Sequence, residues 1–365
     1  MSGTTRTQRL AEQLDAAGID AYFASTTTSM GYLHGLFEHG HERLLTLAVK
    51  SSGDVCLIAP ALSISQAQRV GIADILGWAD SEDPMDAVQT LSQRWNLRSG
   101  VIAVDDEFHS SHLLAMQELL PAALFRAGGE VLSRIRSRKE PAEIDALLAA
   151  GKIADEVYDE VLPEIRVGMT ELELRDRINA KMRARGGTPT FCIVAAGAGS
   201  AEPHHLPNER RLENGDLLLL DFGCDLNHYQ CDITRCVSIG KATDKMHQVY
   251  EIVLRAHDAG RAAVRPGVTG ADVDRAARQI IEDAGHGPDF FHRLGHGIGM
   301  EGHEAPNLVS TNSLPLEPGN CFSVEPGVYL AGEFGIRIEN IVAVTMDGHI
   351  SMNAEPPRSL PELSA

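Results

Sequence analysis

Two stretches of this chain repeat one pattern of side chains. Glu213-Asn-Gly-Asp-Leu-Leu-Leu-Leu-Asp221 and Glu317-Pro-Gly-Asn-Cys-Phe-Ser-Val-Glu325 each read acid, any residue, Gly, a mostly apolar run, then a second acid at the same step. A further acid follows each copy on what should be the returning strand, Asp232 after the first and Glu339 after the second. A carboxylate at the buried end of an apolar strand is costly unless something cationic neutralises it. Four such acids predict a metal site built from two related half-domains.

Spacing refines that expectation. Asp221 and Asp232 are equidistant from the Leu226-Asn227 step. A turn centred there would make them face each other across an antiparallel pair, with Cβ atoms about 4.5–5.5 Å apart; a bulge would shift the register. Glu325 and Glu339 straddle Gly332 in the same way. Arg337 lies two residues before Glu339 and so shares its face, where it can steady the acids. Between the hairpins runs Arg293-Leu-Gly-His-Gly-Ile-Gly-Met-Glu-Gly-His303. Its glycines permit close backbone approach, which makes His296 a candidate fifth ligand. Two Asp, two Glu and one His form a hard, oxygen-rich set. It suits a pair of Mn(II), Co(II), Fe(II) or Zn(II) ions better than it suits thiolate-bound structural zinc. Such a centre holds a bridging water and lowers its pKa, which makes hydroxide available near neutral pH.

Each residue alone has a bland explanation. An Asp after an apolar run ordinarily sits in a turn, and a His in a Gly-rich loop is ordinarily structural. The five together, in duplicated context, are hard to explain that way. Two neighbouring patterns are false trails. Gly297-Ile-Gly-Met-Glu-Gly302 matches the dinucleotide fingerprint but begins no βαβ unit. His303-Glu304 is no zincin motif, because Asn307 holds the place of the second histidine.

Helices must carry these hairpins. Arg166-Val-Gly-Met-Thr170 and Arg265-Pro-Gly-Val-Thr269 each precede an amphipathic helix. Thr170 with Glu173 makes a capping box, Thr269 with Asp272 a weaker one, and Gly186 and Gly285 stand past the helix ends. His204 and His303 lie one repeat apart, so each half reads helix, histidine segment, carboxylate hairpin. That duplication predicts a pseudo-twofold axis with the acids at its centre. A long helix from about Pro141 to Leu162 precedes the repeat, with Ile144, Leu147, Leu148, Val157 and Val161 on one face. The basic stretch from Arg134 to Glu140 reads as a domain boundary. Residues 1–132 read as a separate α/β domain: helical spacing from Arg9 to Ala17, strands at Leu44–Val49 and Val55–Ile58 around the Ser51-Ser-Gly-Asp54 turn, a strand at Val101–Val104, and a helix at His112–Leu120 stopped by Pro121. His34, His39, His41 and His109 are scattered there and suggest no chemistry.

Composition bounds the partners. At 365 residues the chain can bury two full cores, and 43% of it is hydrophobic, as in soluble globular proteins. A formal charge of -19 argues against broad contact with nucleic acid or anionic lipid. The polar start from Met1 to Arg6 carries no apolar signal segment, and no apolar run reaches the roughly 20 residues that span a bilayer. Cys56, Cys192, Cys224, Cys231, Cys236 and Cys321 form no Cys-x-x-Cys pair and read as reduced thiols in a cytoplasmic protein.

Asp221-Phe-Gly, Asp232-Ile-Thr-Arg, His296-Gly-Ile-Gly, His303-Glu, Ser323-Val-Glu-Pro-Gly327 and Arg337-Ile-Glu339 together resemble the creatinase/prolidase/aminopeptidase P family, over nearly the whole chain. The resemblance implies an α+β architecture. It consists of a pita-bread catalytic domain over residues 138–358 with an internal pseudo-twofold repeat, preceded by a smaller α/β creatinase-type N-terminal domain over residues 1–132. It implies two divalent metal ions, foremost Mn(II). Asp221 would bind one, His296 and Glu325 the other, and Asp232 and Glu339 would bridge. His204 and His303 resemble histidines that contact the scissile region, His292 a further active-site histidine, Glu325 a proton shuttle, and Arg337 an arginine steadying the ligands. Asn340 departs from the family, which often has Asp there. The implied activity is hydrolysis of the peptide bond preceding proline in Xaa-Pro dipeptides or short peptides by a metal-bridging hydroxide, in a homodimer. The alternatives are an Xaa-Pro aminopeptidase, or a non-peptidase hydrolase or lyase on the same fold, such as an ectoine hydrolase. Creatinases work without metal and lack the full ligand set, and histone-binding members of the fold have lost it; all five residues stand here.

Overall fold

The computed structural model describes residues 5–364. They divide into two compact units between Arg136 and Ser137. In the first unit the elements are α1 (Arg6–Ala17), β1 (Ala21–Ala24), α2 (Thr27–His34), β2 (Thr46–Lys50), β3 (Val55–Pro60), α3 (Ile64–Arg69), β4 (Ile75–Trp78), α4 (Pro84–Trp95), β5 (Val101–Val104), α5 (Ser110–Leu119), β6 (Leu124–Ala127) and α6 (Gly129–Arg136). They build a mixed six-stranded sheet of order β4-β3-β2-β1-β5-β6. The β2–β3 hairpin turns at Gly53, whose φ of +93° a side chain would resist. Phe23, Ala48, Ile58, Leu91, Trp95 and Ile102 pack its core.

The second unit opens with α7 (Pro141–Val161), whose Leu147, Val157 and Val161 are buried as their spacing predicts. Then follow α8 (Glu171–Ala184), β7 (Thr188–Ala196), β8 (Leu217–Leu226), β9 (Tyr229–Gln230), β10 (Ile233–Ile239), α9 (Asp244–Ala263) and α10 (Gly270–Asp283). The remaining strands are β11 (Gly295–Gly297), β12 (Glu304–Leu308), β13 (Cys321–Val324), β14 (Gly327–Leu330), β15 (Phe334–Arg337), β16 (Asn340–Val344), β17 (His349–Ser351) and β18 (Glu362–Leu363). Both capping boxes form: the Thr170 and Thr269 hydroxyls accept from the amides of Glu173 and Asp272, whose carboxylates accept in return from the Thr amides. Gly186 and Gly285 end α8 and α10 in the left-handed region. The duplication is visible in the sheets. One has order β18-β10-β8-β7 with β9 on β8, the other β12-β11-β13-β16-β17, and β14–β15 form a separate ribbon. Among the described residues no helix is long and apolar enough to cross a membrane.

One expectation needs correction. The first hairpin turns at Asn227-His228, both with positive φ, rather than at Leu226-Asn227. Asp225 pairs with Gln230 and Asp221 with Thr234. Asp221 therefore does not face Asp232 directly; the partner is displaced by two residues. An even displacement keeps the same face, so both acids still point to one side. The second hairpin keeps the predicted register: Leu330 pairs with Phe334 about Gly332, Gly327 with Arg337, and Val324 with Asn340. The division between the units falls within the stretch from Arg134 to Glu140, as its composition predicts. Arg134 and Arg136 end α6, Arg138 bridges to Asn320, and the Lys139 ammonium is buried against Glu304.

Candidate metal centre

The strand order puts the acids where two cores meet. Along β8, Leu217 and Leu219 enter one hydrophobic cluster and Leu218 and Leu220 the other. A strand buried on both faces needs this uninterrupted apolar run. Asp221 follows on the side of Leu217 and Leu219 and is itself 7% exposed. Glu325 and Glu339 lie at the step where the β13–β16 ladder gives way to the β14–β15 ribbon. There the strands part: the Glu325 amide donates to Leu294 O, and the Glu339 amide to Thr234 O in the other half-domain.

The carboxylates converge. Ligand atoms of Asp232, His296 and Glu339 all lie within 4.8 Å of one another. His296 Nε2 is 3.8 Å from Asp232 Oδ2 and 3.3 Å from Glu325 Oε1. Arg337 ties Asp221 to the group through one guanidinium nitrogen. Its Nε donates to Thr234 Oγ1 at 3.0 Å, and Thr234 Oγ1 donates to Glu339 Oε2 at 2.6 Å. Ser323 Oγ donates to Glu325 Oε1 at 3.0 Å. So Asp232, His296 and Glu339 form one cluster, Glu325 adjoins it at His296, and Asp221 is joined to it through Arg337.

Electrostatics marks the pocket as deficient in positive charge. Burial, and then repulsion from Glu339 and Asp221, hold the Asp232 carboxyl well above the usual carboxylate range. Burial and repulsion from Glu325 and Asp221 do the same for Glu339. Burial pushes Glu325 up to about 7, partly offset by Arg337. His296 is pushed down to about 3, chiefly by burial and then by His303. It is therefore neutral, and its Nδ1 donates to Gly297 O at 3.1 Å. The Nε2 lone pair is left facing the acids, the tautomer a metal ligand needs. Asp221 Oδ1, Asp232 Oδ1 and Glu339 Oε1 are buried with no hydrogen-bond partner. Buried carboxylate oxygens almost always have one. Hard divalent cations would satisfy all three oxygens and relieve the repulsion, so the residues fit such ions.

Beside these ligands, sequence reasoning named Arg337 and His292 but missed Tyr329, which joins them. Arg337 Nη1 donates to Tyr329 Oη at 2.8 Å, and that hydroxyl lies 2.9 Å from His292 Nε2. His292 Nδ1 in turn is 2.7 Å from Arg293 O. Burial and the Arg337 charge lower His292 to about 4, so it is neutral. The chain of donors then runs from Arg337 to Tyr329 to His292 to a main-chain carbonyl, which commits both ring nitrogens. Tyr329 sits in an apolar strand and reads as an ordinary core aromatic; only its position eight residues before Arg337 across a tight hairpin hints otherwise. His303 and His204 are exposed, with the His303 ring centroid 3.9 Å from that of His296 and Arg293 Nη2 3.3 Å from His303 Nδ1. His204 lies close enough to weigh on both His292 and His303.

Comparison with known proteins agrees with this geometry. A family model described as Metallopeptidase family M24 matches residues 145–346, more than half of the chain. The chain belongs to the M24 metallopeptidases. A second model, the Creatinase/Prolidase N-terminal domain, matches residues 6–138. The fold is thus a creatinase-type N-terminal domain followed by a pita-bread domain, as the resemblance implied. An Xaa-Pro dipeptidase from Lactobacillus helveticus is 34% identical over 346 residues, 93% of this chain and 94% of its own length. The crystal structure of dipeptidase PepE from Mycobacterium ulcerans superposes with a TM-score of 0.93 at 35% identity, covering 99% of this chain and 97% of the other. That of an X-Pro aminopeptidase from Thermotoga maritima superposes with a TM-score of 0.85 at 31% identity, covering 98% and 100%. The chain is therefore a metallopeptidase of this type and uses divalent metal ions.

Proposed function

We propose that this M24 metallopeptidase hydrolyses the peptide bond preceding proline in Xaa-Pro dipeptides. The observation that carries the reading is the set of three orphaned carboxylate oxygens beside a neutral His296. The proline preference rests on the named activity of the Lactobacillus relative. Asp221 would hold one ion, His296 and Glu325 the other, with Asp232 and Glu339 between them, and Mn(II) is the ion we assign. Bound divalent ions supply Lewis acidity and acidify water at neutral pH.

This chain's own residues do the rest. Arg337 and Thr234 fix the angles of Asp221 and Glu339 through their outer oxygens. Glu325 takes a proton from the attacking water and returns it to the departing imino nitrogen. His303 and His204, exposed at the mouth, donate to the oxyanion that forms from the carbonyl. His292 remains neutral and aims Tyr329 and the adjacent backbone at the substrate. The enzyme acts as a cytoplasmic homodimer. Cleavage of longer Xaa-Pro peptides is the second reading, favoured by the full-length likeness to the Thermotoga aminopeptidase.

A hydrolysis panel tests both. Xaa-Pro dipeptides, Xaa-Pro tripeptides and ectoine are each incubated with the Mn(II)-, Co(II)- or Zn(II)-loaded enzyme. Preference for the dipeptides, lost with chelator, is expected. Turnover of ectoine alone, or full activity in chelator, overturns the proposal.

A further inference from the structure

We propose that the buried Asp274 of α10 and the half-buried Arg278 paired with it form a positioning device that holds the loop 290–294, and through it His292, against the metal pocket; the inference rests on the peptidase reading for its kinetic consequences only.

Asp274 and Arg278 are four residues apart on one helix face, where such pairs are ordinarily solvated and weak. This one is not. Asp274 is 1% exposed, and the Arg278 side chain 24%. A buried ion pair costs desolvation that its mutual attraction barely offsets unless further hydrogen bonds use the remaining donors and acceptors. Here they do. Arg278 Nε and Nη2 donate to Asp274 at 2.9 and 2.8 Å. Arg278 Nη1 donates to Phe290 O at 2.9 Å, and Nη2 also donates to His292 O at 2.8 Å. Asp274 Oδ1 accepts from the Leu294 amide at 3.2 Å. The guanidinium lies 4.1 Å over the Phe290 ring.

Residues 290–294 belong to no strand. Leu294 has main-chain partners of its own, its amide donating to Leu308 O at 3.0 Å and its carbonyl accepting from the Glu325 amide at 2.9 Å, whereas the carbonyls of Phe290 and His292 take theirs from elsewhere. Arg278 supplies them at 290 and 292, and Asp274 adds a second acceptor for the Leu294 amide. The side chains thereby fixed all reach the site. The Phe291 ring, 65% exposed, stands 5.5 Å from the Tyr329 ring. His292 meets Tyr329 Oη, and Arg293 meets His303. Neither Asp274 nor Arg278 touches the carboxylate pocket, so their influence passes through the loop.

The other half-domain carries a counterpart by different residues. Glu171 of α8 is fully buried and accepts from the amides of Ala196 and Asn208 at 3.0 and 3.1 Å, and its Oε2 is 2.8 Å from His205 Nε2. Those contacts bracket the loop that bears His204. In both halves a buried helix carboxylate anchors the loop carrying a site histidine.

The test uses the full-length protein. Arg278→Lys keeps a cation beside Asp274 but cannot span the two carbonyls. In the Mn(II)-loaded enzyme it should leave metal content unchanged and lower kcat on Xaa-Pro dipeptides roughly 10- to 100-fold. In a His292→Ala background the same change should add less than about twofold, because the clamp acts through that residue. Losses that multiply in the double variant, or Arg278→Lys at wild-type kcat, overturn the proposal. Amide hydrogen exchange on the metal-free wild type is independent of activity. The Leu294 amide donates to both Leu308 O and Asp274 Oδ1, so it should exchange slowly, and Arg278→Lys, which removes neither acceptor, should speed it at least tenfold by loosening the loop. Unchanged Leu294 exchange in Arg278→Lys sinks the clamp even if the enzyme proves to be a peptidase. Inactivity of the wild type, with Leu294 exchange faster in Arg278→Lys, sinks the peptidase reading instead.

Discussion

Stripping the metal should leave a protein that loses stability as the pH rises through neutrality, opposite to ordinary acid denaturation. Glu325 has a folded value of about 7, and Asp232 and Glu339 lie well above their ordinary range. A carboxyl raised on folding stabilises fully below its unfolded value near 4.5, and that contribution is lost as pH climbs through the folded value. Buried histidines work the other way. His257 and His292 fall to about 4 and His296 to about 3, so they cost stability as pH drops, and the effect is complete only about one pH unit above the unfolded value near 6.5. From pH 6.5 to 8 these three histidines still add about 0.4 kcal/mol each in the opposite sense, about 1.2 kcal/mol together, which the acids must outweigh, and stopping at 8 avoids the buried thiols that burial raises. Each proton retained by the folded chain lowers stability by about 1.4 kcal/mol per pH unit. Across the window Glu325 alone accounts for about 0.8 kcal/mol, and each acid still protonated at pH 8 for about 2 kcal/mol. Urea titrations of chelator-treated protein at several pH values measure this directly. Glu325→Gln should remove its own share. Saturating Mn(II) should reverse the slope, because the ligands then ionise in the folded state. A metal-free protein with flat or rising stability over the window would mean that the acids are not packed against one another, and the metal pocket would go with them.

Other perturbations address single residues. His303→Ala should leave folding and metal content intact while kcat falls roughly 100-fold, measured by steady-state kinetics on an Xaa-Pro dipeptide. Tyr329→Phe strands a buried Arg337 donor and should cost about 1.5–3 kcal/mol in urea denaturation of the metal-free protein. His257 is buried on α9, and at 3.9 Å from Asp258 it has no true hydrogen bond, so burial controls it. The wild type should therefore lose about 1.8 kcal/mol more than His257→Leu between pH 7 and pH 5, because its stabilising neutral form is lost as pH falls from 6.5 toward 4.

The residues that were legible in the sequence are those that break a local rule. Asp221, Asp232, Glu325 and Glu339 are charges at the ends of apolar strands, and a violation that recurs in both copies of a repeat demands a shared cause. Register was legible only where one turn residue dictated it. Gly332 sits at the centre of the second hairpin with a φ of +78°. Asn227-His228 reaches the same left-handed geometry without a glycine, so the first turn was placed one residue early. The error was harmless for the site because side-chain direction has a period of two, and the displacement was even. What stayed hidden obeys every local rule. Tyr329 looks like strand core, Lys139 like a linker, and Asp274–Arg278 like a surface helix pair. Each acquires its meaning from a partner far along the chain, Arg337, Glu304 or the loop 290–294. Those partners are supplied by topology, which single-sequence spacing does not encode. The metal ligands and their supports therefore differ in kind: the ligands are strained locally and relieved by an ion, while the supports are unremarkable locally and become specific only when the two half-domains close around them.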